Sequence, residues 1–258
     1  SFFLNRRNGK PTNDFIYTGK QVKDLLLDGF DEKKRNFVIF NSSEDEIVSL
    51  GGDWDEDNLF ESQYEAIKFV VEHLPEGSHL YLRIHPNLKD VNAEYHTNLY
   101  KLQSERLTII PPDSPVSSYA LMDVAEKVLV MGSTMGVESC YWGKPVINLH
   151  KSEYYYLDVA YNPQTKEEFQ RLLCGDLEPK SREGALLYGY FYMALDERAQ
   201  TDNEIDFNLY TATIMGWKIP GVIRYLKFLG SSTLFRVIYP RFAAHCSRFF
   251  KNTVSFPG

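Results

Sequence analysis

Residues 127–149 run KVLVMGSTMGVESCYWGKPVINL. A five-residue β-rich run, Lys127 to Met131, stops at Gly132, a residue free to take backbone angles that others avoid. Ser133 and Thr134 follow, then a short helical pattern that ends at Gly143. Pro145 leads into a second apolar run, residues 146–149. Strand, turn, helix and strand in so few residues form a unit suited to a parallel sheet covered by helices.

The same alternation extends upstream. "NFVIFN" (36–41), "HLYLRIH" (79–85) and "LTII" (107–110) are short apolar runs suited to strands buried on both faces. Between them, "LFESQYEAIKFVVEHL" (59–74) places Phe60, Tyr64, Ile67, Val71 and Leu74 at helical spacing before Pro75 and Gly77 end it. "AEYHTNLYKLQ" (93–103) and the Ser-capped "SSYALMDVA" (117–125) supply two more helices. Near the start, "QVKDLLLDGF" (21–30) shows a short helical pattern. After Leu149 no further strand is expected, and "KEEFQRLL" and "GALLYGYFYMALDE" are helical. The fold class is therefore α/β: a Rossmann-like parallel sheet with helices on both faces, followed by a helical C-terminal tail.

Composition agrees with one large domain plus appendages. The chain has 258 residues, 43% of them hydrophobic and 14% aromatic, enough for a substantial core. It begins at Ser1 with no signal-peptide pattern and reads as a fragment of something longer. Cys140, Cys174 and Cys246 are far apart, which fits a reducing, cytoplasmic setting and no structural zinc site. The expected divisions are a linker or domain remnant over 1–36, the nucleotide-binding unit over 37–200, and a basic amphipathic helical tail over 201–258.

The net charge of −7 conceals an asymmetry. From Phe207 onward there are seven Lys/Arg and no acid; of 28 bases and 35 acids in all, the rest keeps 21 against 35. So acidic a body does not suit nucleic-acid binding. The tail interleaves its bases with Trp, Phe, Tyr, Ile and Leu. That pattern fits a membrane interface, here the inner face of a cell membrane, or a helix packed on a partner domain.

In parallel sheets, ligands bind beyond the carboxyl ends of the strands. Every polar motif here lies at such an end. In "GSTMG", Gly132, Ser133 and Thr134 make an anion site at a helix start, and Glu138, a turn later, can accept bonds from ribose hydroxyls; an ordinary N-cap with Glu as capping-box partner is the alternative. In "RIHPN" (83–87), His85 can donate to a phosphate oxygen, with protonation adding charge, while Arg83 supports a phosphate or pairs with an acid. In "PPDSPVSS" (111–118), Pro112 and Ser114 lie where a loop covers a nucleotide base, or where a rigid connection precedes a cap. Asn41, Ser42 and Ser43 open the fourth loop as supporting residues, and the acids after them form a solvated stretch rather than a metal site. There is no dinucleotide fingerprint, P-loop, zincin motif or nucleophile elbow.

Taken in order, "RIHPN", "PPDSPVSSYALMDVAEKVLVMGSTMGVESCYWGKPVINL", and the earlier "FFLNRRNGK" and "FNSSEDE" resemble bacterial capsule and surface-polysaccharide biosynthesis proteins, within the GT-B glycosyltransferases. The resemblance covers about residues 37–149 and implies one half of a GT-B fold. It implies donor phosphate held by His85 with Pro86 and by Ser133 with Thr134, and donor ribose held by Glu138. It also implies a nucleotide-sugar donor, CMP-activated or UDP-linked, a glycan or lipid-linked acceptor, and no other cofactor. The acceptor-binding domain of such enzymes has no counterpart in the 36 residues before the first strand, so a fragment, a separate partner chain or a reduced fold is expected. A sugar-nucleotide epimerase, a glycerophosphate polymerase, or a non-catalytic donor-binding module that docks a partner or membrane are the other readings.

Overall fold

The computed structural model of the chain describes residues 2–10, 20–43, 58–201, 211–214 and 217–220. Strands β1 (Arg35–Phe40), β2 (Ser78–Arg83), β3 (Leu107–Ile110), β4 (Lys127–Met131) and β5 (Val146–His150) form one sheet. Its order is β3-β2-β1-β4-β5 and every neighbouring pair is parallel. The chain grows outward from β1 through β2 to β3, then returns to the other side of β1. Between β1 and β4 the direction reverses, and all five carboxyl ends share one rim.

Alternation along each strand sends successive side chains to opposite faces. Val38, Phe40, Tyr81, Val128, Val130 and Val146 are buried in one core, beneath α1 (Phe2–Arg7), α4 (Ser118–Val124), α5 (Met135–Tyr141) and α7 (Glu183–Thr201). Phe37, Ile39, Leu80, Leu82, Leu129 and Ile147 are buried in the other, with α2 (Gln63–His73), α3 (Glu94–Leu99) and α6 (Lys166–Cys174). Each such side chain contributes roughly 1.5–3 kcal/mol on leaving water. In α2 the buried face is Gln63, Ala66, Ile67 and Val70, so Val70 takes the inward position expected of Val71.

A buried lysine stands at the opposite rim. Lys127 Nζ donates to the carbonyls of Leu172 (3.0 Å), Leu173 (2.7 Å) and Gly175, at the C-terminal end of α6. The ammonium meets the negative end of the helix dipole there.

Both sheet edges are bonded by short flanking segments, and Ser104 bridges to Leu107 beside β3. Beside β5, Tyr161 donates its N–H to Val146 O (2.8 Å) and accepts from Asn148 N (2.9 Å). Beside β3, the Gln103 carboxamide accepts from Ile109 N (2.9 Å) and donates to Leu107 O (2.9 Å).

Two expectations are corrected. Residues 21–30 are not helical: Asp24 (φ 62°) and Gly29 (φ 75°) are left-handed. The segment lies along 115–118, with Val22 N–H on Pro115 O and Ser117 N–H on Leu25 O. Past Thr201, the described residues are strands rather than a helix, β6 (Thr211–Ile214) antiparallel to β7 (Trp217–Pro220). Thr211, Thr213, Ile214, Trp217 and Ile219 are β-branched or aromatic and favour an extended backbone. The remainder of the expected tail lies outside the described residues.

The residues before β1 are joined to the body. Phe2 and Phe3 of α1 are buried, Phe3 stacking on Tyr141 (4.2 Å between centroids) and Phe2 on Tyr192 (5.7 Å).

Candidate functional site

Three strand ends meet where the sheet reverses. Neighbouring strands lie about 4.8 Å apart, so β2 and β4, on either side of β1, end roughly 10 Å from one another. The residues just after β1 tie them together. Asn41 Oδ1 accepts from His85 N–H (2.8 Å), beyond β2. Ser42 donates to the Met131 carbonyl (2.5 Å), at the end of β4. Gln63, from α2, locks this bracket by donating to Ser42 O (2.8 Å) and accepting from Asn41 Nδ2 (3.1 Å). Asn41 and Ser42 serve as braces through these bonds; Ser43 is also buried, its Oγ 3.4 Å from Tyr95 OH. The acids expected to follow as a solvated loop lie outside the described residues.

The bracket places His85 on one side and residues 132–134 on the other. Gly132 has φ 75°, which a β-branched residue would not tolerate. Ser133 Oγ accepts from Met135 N–H (3.3 Å). Thr134 Oγ1 accepts from Arg6 Nη2 (3.2 Å). A hydroxyl that accepts inside the protein keeps its proton to donate, so both suit an oxygen-rich anion.

His85 is neutral where the sequence suggested added charge. Burial, reinforced by the Arg83 guanidinium, pushes its pKa down to about 4. Asn87 N–H donates to its Nδ1 (3.2 Å), which puts the ring proton on Nε2. His85 is thus a neutral N–H donor at ordinary pH, and Pro86 starts the short turn Pro86–Leu88 that it caps.

Arg83 is 2% exposed and donates to Pro111 O (2.5 Å) and Ser114 O (3.1 Å), and its Nε has no hydrogen-bond partner among the described residues. Burial lowers its pKa to about 10, with Asp113 opposing, so it stays charged. It shapes the loop that carries Pro112 and Ser114. Ser114 Oγ accepts from Val116 N–H (3.3 Å), and Ser117 caps α4.

Glu138, the candidate for the donor ribose, has a buried side chain, with Oε1 accepting from Arg6 Nε (2.9 Å) and Oε2 from Tyr119 OH. Burial and the neighbouring Glu138 hold the Tyr119 phenol far above its usual pKa, so it remains a donor. The capping-box alternative fails, because α5 has no side-chain cap.

Arg6, Tyr119, Tyr154 and Gln63 were not singled out from the sequence. Tyr154 is fully buried and donates to Ser133 O (2.5 Å), supporting the turn from below. Among the described residues no three His, Cys, Asp or Glu stand close enough to hold a metal ion. Among them, too, no helix is long and apolar enough to cross a membrane.

No curated protein matches the chain. Among solved structures it is similar to the UDP-GlcNAc 2-epimerase of Methanocaldococcus jannaschii, at 17% identity over 63% of this chain and 46% of that one (TM-score 0.40). It is also similar to KpsC, a beta Kdo 2,4 transferase of Thermosulfurimonas dismutans, at 16% identity over 55% of this chain and 40% of that one (TM-score 0.38). A third is MnaA of S. aureus, solved with UDP, at 12% identity over 66% of this chain and 50% of that one (TM-score 0.39). The chain thus spans half or less of the length of these structures. The family described as "Capsule polysaccharide biosynthesis protein" matches residues 16–173, more than half the chain. That span contains all five strands of the parallel sheet and the rim just described, and the chain belongs to the capsule polysaccharide biosynthesis protein family.

Proposed function

We propose that this chain is the donor-binding part of a glycosyltransferase. It would transfer a sugar from a nucleotide-sugar, CMP-activated in preference to UDP-linked, to a surface glycan or lipid-linked acceptor. The single observation that supports the reading is the bracket of Asn41 and Ser42, which ties the end of β2 before His85 and the end of β4 before the 132–134 turn to the same residues, at the point where the sheet reverses. Family membership supplies the glycan context.

The chemistry follows from the donors present. As the sugar–oxygen bond breaks, negative charge builds on the departing phosphate. His85 Nε2–H and the Ser133 and Thr134 hydroxyls are donors fixed by internal bonds, so little reorganisation accompanies that change. Arg83 adds a buried positive charge behind His85. The 111–118 loop, held by Arg83, is the place for the base. A partner chain or further domain would bring the acceptor, and the basic residues after 207 would bring the protein to a membrane surface.

A thermal-shift panel of CMP, UDP, GDP and CDP tests the reading, since a ligand of the folded state raises its melting temperature. CMP is expected to give the largest rise, and no rise with any of the four rejects the reading. Product analysis with labelled CMP- and UDP-sugars then separates the chemistries. A labelled glycan supports transfer, an epimerised nucleotide-sugar replaces it with epimerisation, and binding without turnover leaves a donor-binding module.

A further inference from the structure

The N-terminal helix reaches into the rim. Arg6 is 6% exposed, and among the described residues its guanidinium reaches Glu138 Oε1 through Nε (2.9 Å) and Thr134 Oγ1 through Nη2 (3.2 Å). Glu138 is held in turn by Tyr119. The planar guanidinium can serve both acceptors only in a narrow set of orientations. Fixing Glu138 therefore fixes the direction from which Thr134 is approached.

The bond has a chemical consequence. Thr134 Oγ1 accepts from a cationic donor, which draws density from the hydroxyl and leaves its own proton to donate. Without that bond the hydroxyl is free to rotate and to donate elsewhere. The backbone of the turn is held separately, by Tyr154 on Ser133 O, so Arg6 acts on the side chain and Tyr154 on the main chain.

We propose that Arg6 is a positioning residue for nucleotide binding, orienting the Thr134 hydroxyl toward the phosphate from a helix that itself touches no ligand. This rests on the donor-binding reading above and deepens it.

The helix carries its own control. Arg7 pairs with Asp123 and lies over the rings of Trp142 (4.7 Å to its centroid) and Tyr119 (5.4 Å), so it secures α1 without touching Thr134 or the Tyr119 hydroxyl. Titration calorimetry with CMP and with UDP compares wild type, Arg6→Lys, Arg7→Gln, Thr134→Val and the double variant Arg6→Lys/Thr134→Val. Lysine keeps the charge beside Glu138 but not the fork. Arg6→Lys is expected to weaken binding about tenfold, the loss of one charge-assisted hydrogen bond. Arg7→Gln is expected to leave affinity unchanged. The double variant should bind no more weakly than Thr134→Val alone.

Unchanged affinity in Arg6→Lys overturns the proposal, as does an equal loss in Arg7→Gln, which would assign the effect to helix docking. An additive loss in the double variant overturns it as well. Should Arg6→Lys fail to fold, Glu138→Gln loosens the guanidinium from its other side, with the same expected and overturning results. If wild type binds neither nucleotide, the donor-binding reading falls and the proposal falls with it.

Discussion

Asn41 and His85, 44 residues apart in sequence, are joined by a 2.8 Å hydrogen bond from the His85 amide to the Asn41 side-chain oxygen. The end of β2 is thereby set by the residue that follows β1. The same Asn41 donates to Gln63, which holds Ser42, which holds Met131. The rim is a chain of such bonds, and altering one link should be felt at the others.

Asn41→Ala removes the acceptor for His85 N–H and the donor to Gln63 Oε1. Leaving these buried groups unpaired is expected to cost about 2–4 kcal/mol, taking roughly 1–3 per group with partial relief. Urea unfolding measures the loss, and CMP titration should show weakened binding in the fraction that stays folded. A stability within 0.5 kcal/mol of wild type (roughly the range of a neutral surface change) would show that the bracket is not under load.

His85 sets an acid limb in the stability profile. Its pKa is about 4 in the folded protein against 6.5 for the free side chain. At pH values between the two the unfolded chain binds the extra proton, so stability falls as pH drops from about 6.5 to about 4 and levels below that. His85→Gln keeps an N–H donor but does not titrate. Urea midpoints measured from pH 4 to pH 7.5 should show a shallower decline for the variant, and parallel curves would contradict the buried, neutral imidazole.

Lys127→Met takes the cap from α6 and leaves the Leu172, Leu173 and Gly175 carbonyls short of a donor. The expected cost is about 2–4 kcal/mol. Because Lys127 sits at the rim opposite the candidate site, the CMP dissociation constant should not change. Loss of binding at full stability would argue against this separation of roles.

Gly136→Ala tests the support beneath the turn. A β-carbon there would lie 2.3 Å from the Tyr154 hydroxyl, which also holds Ser133 O. The collision is expected to lower the melting temperature and weaken CMP binding. Adding Tyr154→Phe removes the colliding oxygen and should restore part of the melting temperature but not the binding, since the bond to Ser133 is still missing. No recovery in the double variant would point to the ring rather than the hydroxyl.

The sheet was legible because its strands are buried on both faces. Runs such as "NFVIFN" and "KVLVM" are too short for helices and are bounded by turn residues, and chain order alone places their carboxyl ends together. The positions of His85, Ser133 and Thr134 follow from that geometry. Their partners do not. Arg6 stands 128 residues from Thr134 and 132 from Glu138, and nothing local in either segment announces the pairing. The inward partners of Glu138 are hidden for the same reason: a carboxylate one turn into a helix gives no sign of which way it faces. The triplet Leu25 to Leu27 mimics a helix, but bonds to residues 115–117 and two left-handed residues override its local preference. Beyond Thr201, basic and apolar residues fit a helix or strands equally well by composition, and β-branched and aromatic residues favour the strands at 211–214 and 217–220.

The closed margins of the sheet limit how this protein can assemble. Gln103 and Tyr161 occupy the outward-facing amides and carbonyls on which another chain would otherwise build. An exposed border of that kind is where proteins add a foreign strand, in recognition or in aggregation. A protein that meets this sheet at those margins does so through helices and loops, by surface fit, and the two can separate and rejoin without unzipping the layer.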